Sequence, residues 1–231
     1  MPSLRRTVRP ASPSTPQGPE DWRPQQFGRH IRKVADPLVE PSWGGVRVIA
    51  RIERGQTRFV DEDGVDCTDE FATVAEAVSA SARADQLILD GFLTVEPTQA
   101  TTGVVLGGVE APGKRQMMSQ MFLGRRGSGG PEPKRQLDPE RPIAFVAVDI
   151  LSVDGSTLLD VPLLERKRLL DGAVGTGELV RITPFVRLPI GTFLTTWRSL
   201  GFRALAYKGA NSRYVPNGRN ADWFIAPMPL K

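Results

Sequence analysis

Apolar and polar residues follow readable rhythms over most of this chain. Positions 46–52 and 57–60 alternate in the two-residue period of strands, and Glu53-Arg54-Gly55-Gln56 supplies a turn, so this stretch predicts a hairpin. Phe71, Val74, Ala75 and Val78 then fall on one helical face, with Thr68 or Asp69 placed to cap a helix packed on that hairpin. Residues 86–95 and 143–151 read as buried strands. Proline at 162 and glycine at 172 bracket a helix, 178–185 reads as a strand, and 192–200 as a further helix.

Two stretches break the rhythm. Six prolines within the first 24 residues leave too few large apolar groups to offset the entropy of ordering them, and 1–34 is expected to be a basic, Pro-rich disordered tail. A helical turn over 27–33, stopped by Pro37, would be its only structure. Residues 35–231 form the expected domain, interrupted by an irregular basic insertion at about 97–141. Within the insertion, Met117, Met121 and Phe122 fall on one face of a short amphipathic segment. That face would either pack on the body or dock a protein partner.

Charge sharpens the picture. The chain carries +4, yet 1–34 holds seven Arg/Lys against two acids and 113–141 seven against three. Basic appendages on a mildly acidic body suit a polyanion, with Arg5, Arg6, Arg9, Lys114, Arg115, Arg125 and Arg126 as nucleic-acid contacts. The other reading of these charges is solubility. No 18-residue apolar run spans a membrane, no apolar segment follows the first arginines, and the lone Cys67 suits a reducing compartment, so a cytoplasmic location is expected. One histidine and one cysteine make a His/Cys metal site implausible, and no metal is expected.

The motifs come in order. Glu40-Pro41-Ser42-Trp43-Gly44-Gly45-Val46-Arg47 is followed by Asp90-Gly91-Phe92 and Val148-Asp149-Ile150-Leu151. Pro162-Leu163-Leu164-Glu165-Arg166-Lys167-Arg168-Leu169-Leu170, then 201–208, Ser212-Arg213-Tyr214 and Arg219-Asn220-Ala221-Asp222-Trp223 complete the series. Together they resemble the adenylation (nucleotidyltransferase) domain of ATP-dependent DNA ligases over about residues 38–227. The resemblance implies an α+β, ATP-grasp-like fold of antiparallel sheets flanked by helices. Because the sequence ends eight residues after Trp223, no C-terminal oligonucleotide-binding-fold domain is expected within it.

The same resemblance marks what is missing. Ser42 stands at the nucleophilic lysine. Gly44, Phe92 and Arg203 replace carboxylates, and Ile225 and Pro227 replace the last motif's lysines. Val148 replaces the aromatic that stacks on adenine, a contact worth about 0.5–1.5 kcal/mol. Serine cannot form the phosphoramidate, and each lost electrostatic contributor costs on the order of 10²-fold in rate. By resemblance Glu40 would face the adenine, Arg47 the ribose and Lys208 the phosphates, with Asp90 beside them. The plainer readings are a loop cap at Glu40, an exposed strand residue at Arg47 and a surface lysine at Lys208. Arg203 is expected to pair with Asp90 where metal would sit. The expected function is therefore a degenerate ligase-like domain that binds nucleic acid or a DNA repair, recombination or replication partner. No cofactor is required, although the surviving residues leave ATP open. Two alternatives stand beside it: an active nucleotidyltransferase with a displaced nucleophile, such as Lys33 or Lys208, or one completed by a partner chain; and a structural or assembly subunit.

Overall fold

The computed structural model describes residues 18–95 and 143–229. The 117–122 segment and the cations at 5, 6, 9, 114, 115, 125 and 126 lie outside the described residues.

The expected hairpin forms from β3 (Val46–Glu53) and β4 (Gln56–Asp61). Arg54 and Gly55, at φ 50° and 76°, make the two-residue left-handed turn whose twist matches antiparallel strands. Beside β3 lies β5 (Gln86–Thr94), then β6 (Ala144–Val153), both antiparallel. β7 (Ser156–Thr157) and the parallel β8 (Val180–Ile182) complete the large sheet along β6. Strand 178–185 is thus shorter than its apolar pattern suggests, since Pro184 has no N–H to extend the ladder. A second sheet has the order β11 (Trp223–Pro227), β9 (Ala204–Gly209), β2 (Pro37–Pro41).

Alternation along β3 assigns its two faces. Val48, Ala50 and Ile52 pack with Val74, Ala75 and Val78 of helix α1 (Ala72–Ser81). Neither Thr68 nor Asp69 caps α1; a 3-10 turn at Asp69–Phe71 leads into it, and the Thr68 hydroxyl accepts the Phe59 N–H instead. Ile49 faces the other way, into a core shared with Leu38, Leu151, Leu163, Tyr214 and Trp223 between the two sheets. Helix α2 (Leu163–Ala173) closes one side of that space. Helix α3 (Gly191–Ser199) covers the outer face of the small sheet through Trp197, against Val39 and Leu205.

The boundary of the expected tail moves. Trp22 and Gln25 are buried, and β1 (Gln26–Phe27) pairs in parallel with β10 (Arg219–Asn220). Residues 28–34 form no helical turn. Trp22 joins the inter-sheet core, with Phe27 packed against it, and ties down a segment whose average composition reads as tail.

Gly45 turns the chain from one sheet to the other at φ 106°, where a Cβ would sit 2.2 Å from the Leu93 carbonyl oxygen. Gly45→Ala is expected to cost about 1–3 kcal/mol in denaturant unfolding. An unchanged midpoint would show that this turn relaxes freely.

Candidate functional site

The inter-sheet space holds charged groups that a core ordinarily excludes. Asp90 of β5 and Asp149 of β6 are cross-strand partners, and both are fully buried. Opposed like charges destabilise a sheet unless each is neutralised. Arg47 of β3 answers Asp90 with a two-pronged pair, Nε to Oδ1 at 3.0 Å and Nη2 to Oδ2 at 2.7 Å. Arg166 of α2 answers Asp149 in the same way, at 2.9 and 2.8 Å. Tyr214 donates its hydroxyl to Asp90 at 2.8 Å and accepts the Gln25 N–H at 3.0 Å. Burial, with Asp90 next to it, pushes that phenol well above its ordinary range. Burial alone would pull Arg47 down, but Asp90 overcomes it and holds the guanidinium firmly charged.

A second buried group lies on the small sheet. Glu40 of β2 accepts a bond from Lys208 of β9 at 2.7 Å, and Lys167 of α2 reaches its other oxygen at 2.5 Å, off the hydrogen-bonding direction. Lys167 spends its directed bond on the Val148 carbonyl at 2.6 Å. Lys208 also lies over the Trp223 ring, 4.3 Å from its centroid. Burial lowers the Lys208 pKa, Glu40 opposes that, and the Lys167 charge reinforces it.

The N-terminal segment covers this array. Arg47 Nη1 donates to the Gln25 carbonyl at 2.7 Å. Its guanidinium carbon lies 5.6 Å from the Phe27 ring centroid and 5.7 Å from that of Phe92. Phe92, at the glutamate position of the resemblance, is thus a cross-strand partner of Arg47 that presents an aromatic face to it.

The sequence-chosen residues distribute as follows. Glu40, Arg47, Asp90 and Lys208 converge between the sheets and are all buried, so Arg47 is not an exposed strand residue, Lys208 is not a surface lysine, and Glu40 lies in β2 and caps no loop. Arg203 is exposed and does not pair with Asp90, whose oxygens go to Arg47 and Tyr214. Ser42 and Gly44 are half-buried where β2 passes into β3, and the Ser42 N–H bonds the Ala204 carbonyl beside Arg203. Ile225 and Pro227 are cross-strand partners of Ala206 and Ala204 on the face of β11 that bears Trp223, and both are exposed. Lys33 is exposed on the loop ahead of β2. Burial pushes the Cys67 thiol up to about 11, so it is a poor nucleophile.

Sequence reasoning missed three participants: Lys167, the Arg166–Asp149 pair and the segment around Gln25. For the first two a signal existed in the helix motif 162–170, which places four charges together. For Gln25 there was none beyond the neighbouring Trp22.

These residues do not fit a divalent cation. Asp90, Asp149 and Glu40 are each matched to a cation of the protein, and no cluster of three or more His, Cys, Asp or Glu among the described residues is arranged to hold a metal. No helix among the described residues is long and apolar enough to cross a membrane.

Comparison with known proteins agrees with this architecture. A probable DNA ligase of Streptomyces coelicolor is 29% identical over 198 residues, 84% of this chain and 35% of that protein. A probable DNA ligase of Koribacter versatilis is 30% identical over 149 residues, 64% of this chain and 23% of that protein. The chain therefore spans about a third or less of the curated relatives it matches. Among solved structures, the ligase domain of M. tuberculosis LigD superposes with a TM-score of 0.61 at 22% identity, covering 91% of this chain and 60% of that one. A mycobacterial DNA ligase D complexed with ATP and MES gives 0.62 at 21% identity, covering 90% and 60%, so the fold is shared. A sequence profile described as "ATP dependent DNA ligase domain" matches residues 25–224, nearly the whole described body, and the chain belongs to that family.

Proposed function

We propose that this is a ligase-fold domain that forms no lysyl-adenylate and acts by binding nucleic acid, in DNA repair, recombination or replication. One observation carries the reading: the cations left in the cleft are engaged by its buried carboxylates, Arg47 by Asp90 and Lys167 and Lys208 by Glu40. The amine expected at 42 is a serine, and the lysines expected at 225 and 227 are apolar. A triphosphate entering here would have to draw Lys208 away from a carboxylate 2.7 Å distant. Phe92 and Phe27 leave Arg47 little room to face a ribose. The names of the relatives support this reading: they are DNA ligases and an end-joining DNA repair protein, so a DNA backbone is the ligand proposed.

One observation favours the second reading, an active nucleotidyltransferase. Burial lowers the Lys208 pKa, which moves that amine toward the nucleophilic form. Incubation with radiolabelled ATP and magnesium separates the two. The proposal expects no covalent label, and an adenylate at Lys208 or Lys33 would replace it with the alternative. Binding to nicked and intact duplexes is expected to weaken steeply with salt. A flat response would leave only a scaffold or assembly role.

A further inference from the structure

Outside the cleft, one loop concentrates charge without internal balance. Residues 28–34, Gly-Arg-His-Ile-Arg-Lys-Val, carry three cations and no acid. The loop is held at both ends. Gly28 donates its N–H to the Trp223 carbonyl at 2.7 Å, Arg219 bonds the Phe27 carbonyl and the Gln26 side chain at 2.5 Å each, and Val34 lies against Gly209. Asn220 binds the Arg213 carbonyl at 2.8 Å, which brings Arg213 to the same edge. Arg29, Arg32, Lys33, Arg213 and Arg219 are all exposed there. Among the described residues, none of Arg29, Arg32, Lys33 and Arg213 has a carboxylate within salt-bridge distance. The acids nearby are Asp222 and Asp36, and Asp36 is already paired with Arg187 at 3.3 Å. Between the cations stands Ile31, 66% exposed.

We infer that loop 28–34, with Arg213, is a phosphodiester-binding surface that seats duplex DNA on the body of the domain. Unpaired, exposed cations hold counterions that a polyphosphate backbone releases, and that release drives binding. The β1–β10 pairing and the Gly28 bond anchor the start of the loop on the body of the domain. Ile31 suits contact with a sugar or base edge between phosphate contacts. The inference rests on the nucleic-acid reading above and locates it on the ordered body.

The test uses the full chain and a fluorescent duplex oligonucleotide, with anisotropy recorded across a salt series. The variant Arg29→Gln/Arg32→Gln/Lys33→Gln/Arg213→Gln is compared with Arg54→Gln/Arg58→Gln/Arg83→Gln/Arg168→Gln, which removes the same charge from exposed sites elsewhere. Circular dichroism checks that both fold. The loop variant is expected to bind at least about tenfold more weakly at low salt. The slope of log Kd against log salt should fall by about one for each phosphate that is no longer neutralised. The control variant should change little. If the wild type does not bind, the nucleic-acid reading itself fails. If the wild type binds and the loop variant matches it, or both variants weaken equally, this surface is wrong while that reading stands.

Discussion

Glu40→Gln is expected to lower the unfolding free energy by about 3–5 kcal/mol, because it strands two buried ammonium groups around a neutral amide. Lys167 and Lys208 are 1% and 2% exposed, so water cannot replace the lost carboxylate. For a body of this size that corresponds to a fall in Tm of about 6–20 °C. The sign of the pH dependence follows from Lys208. Burial holds its folded pKa below the ordinary 10.5, so between that lowered value and 10.5 the unfolded chain binds the extra proton. Wild-type stability therefore gains from this group as pH rises through that window. The variant should show a larger gain, since Glu40 is the group that opposes the lowering of the Lys208 pKa by burial. Adding Lys208→Met to Glu40→Gln should cost less than the two single changes together, because it removes one of the stranded charges. A loss below about 1 kcal/mol for Glu40→Gln would mean that the pair is solvated or neutral, and the reading of a cleft whose cations are held by its own carboxylates would fail.

The elements were legible where one face is wet and the other dry. The β3–β4 hairpin follows from the alternation around Arg54-Gly55, and α1 from the apolar spacing of Val74, Ala75 and Val78. The motifs named Glu40, Arg47, Asp90 and Lys208, which the fold buries between the sheets, but not their partners. Partnering depends on register. Register shifts on either side of Leu89–Asp90, between Ile88 and Leu89 and between Asp90 and Gly91, place Asp90 opposite Asp149, and a period of two does not encode them. Arg203 is the partner the sequence suggests for Asp90, yet it precedes β9 and is exposed, while Arg47 on the adjacent strand pairs with Asp90. Arg166 and Lys167 were hidden for another reason. Adjacent charges on a helix ordinarily mark its wet side, whereas α2 lies against the cleft and buries both. Proline density concealed Trp22 and Gln25, because composition averages over a window and one tryptophan scarcely moves the mean.

Arg47→Met is expected to cost about 3–5 kcal/mol, comparable to Glu40→Gln and for the converse reason: it leaves a carboxylate rather than an amine without its counter-charge. Asp90 would then face Asp149 across the strand pair, and Arg166 is already committed to Asp149. Tyr214 would remain as a donor, and a neutral hydroxyl offsets only part of the penalty. The double change Arg47→Met/Asp90→Leu removes both charges together and should recover at least half of the single-variant loss. The same pair of variants also reports on the covering segment. Arg47 binds the Gln25 carbonyl and lies beneath the Phe27 ring, so its loss should loosen residues 22–28 even where the double variant restores global stability. Limited proteolysis in native buffer would register this as faster cleavage within that segment in both variants. Equal cleavage in wild type and double variant would mean that Trp22 and the β1–β10 pairing alone hold the segment, and that Arg47 serves only to neutralise Asp90.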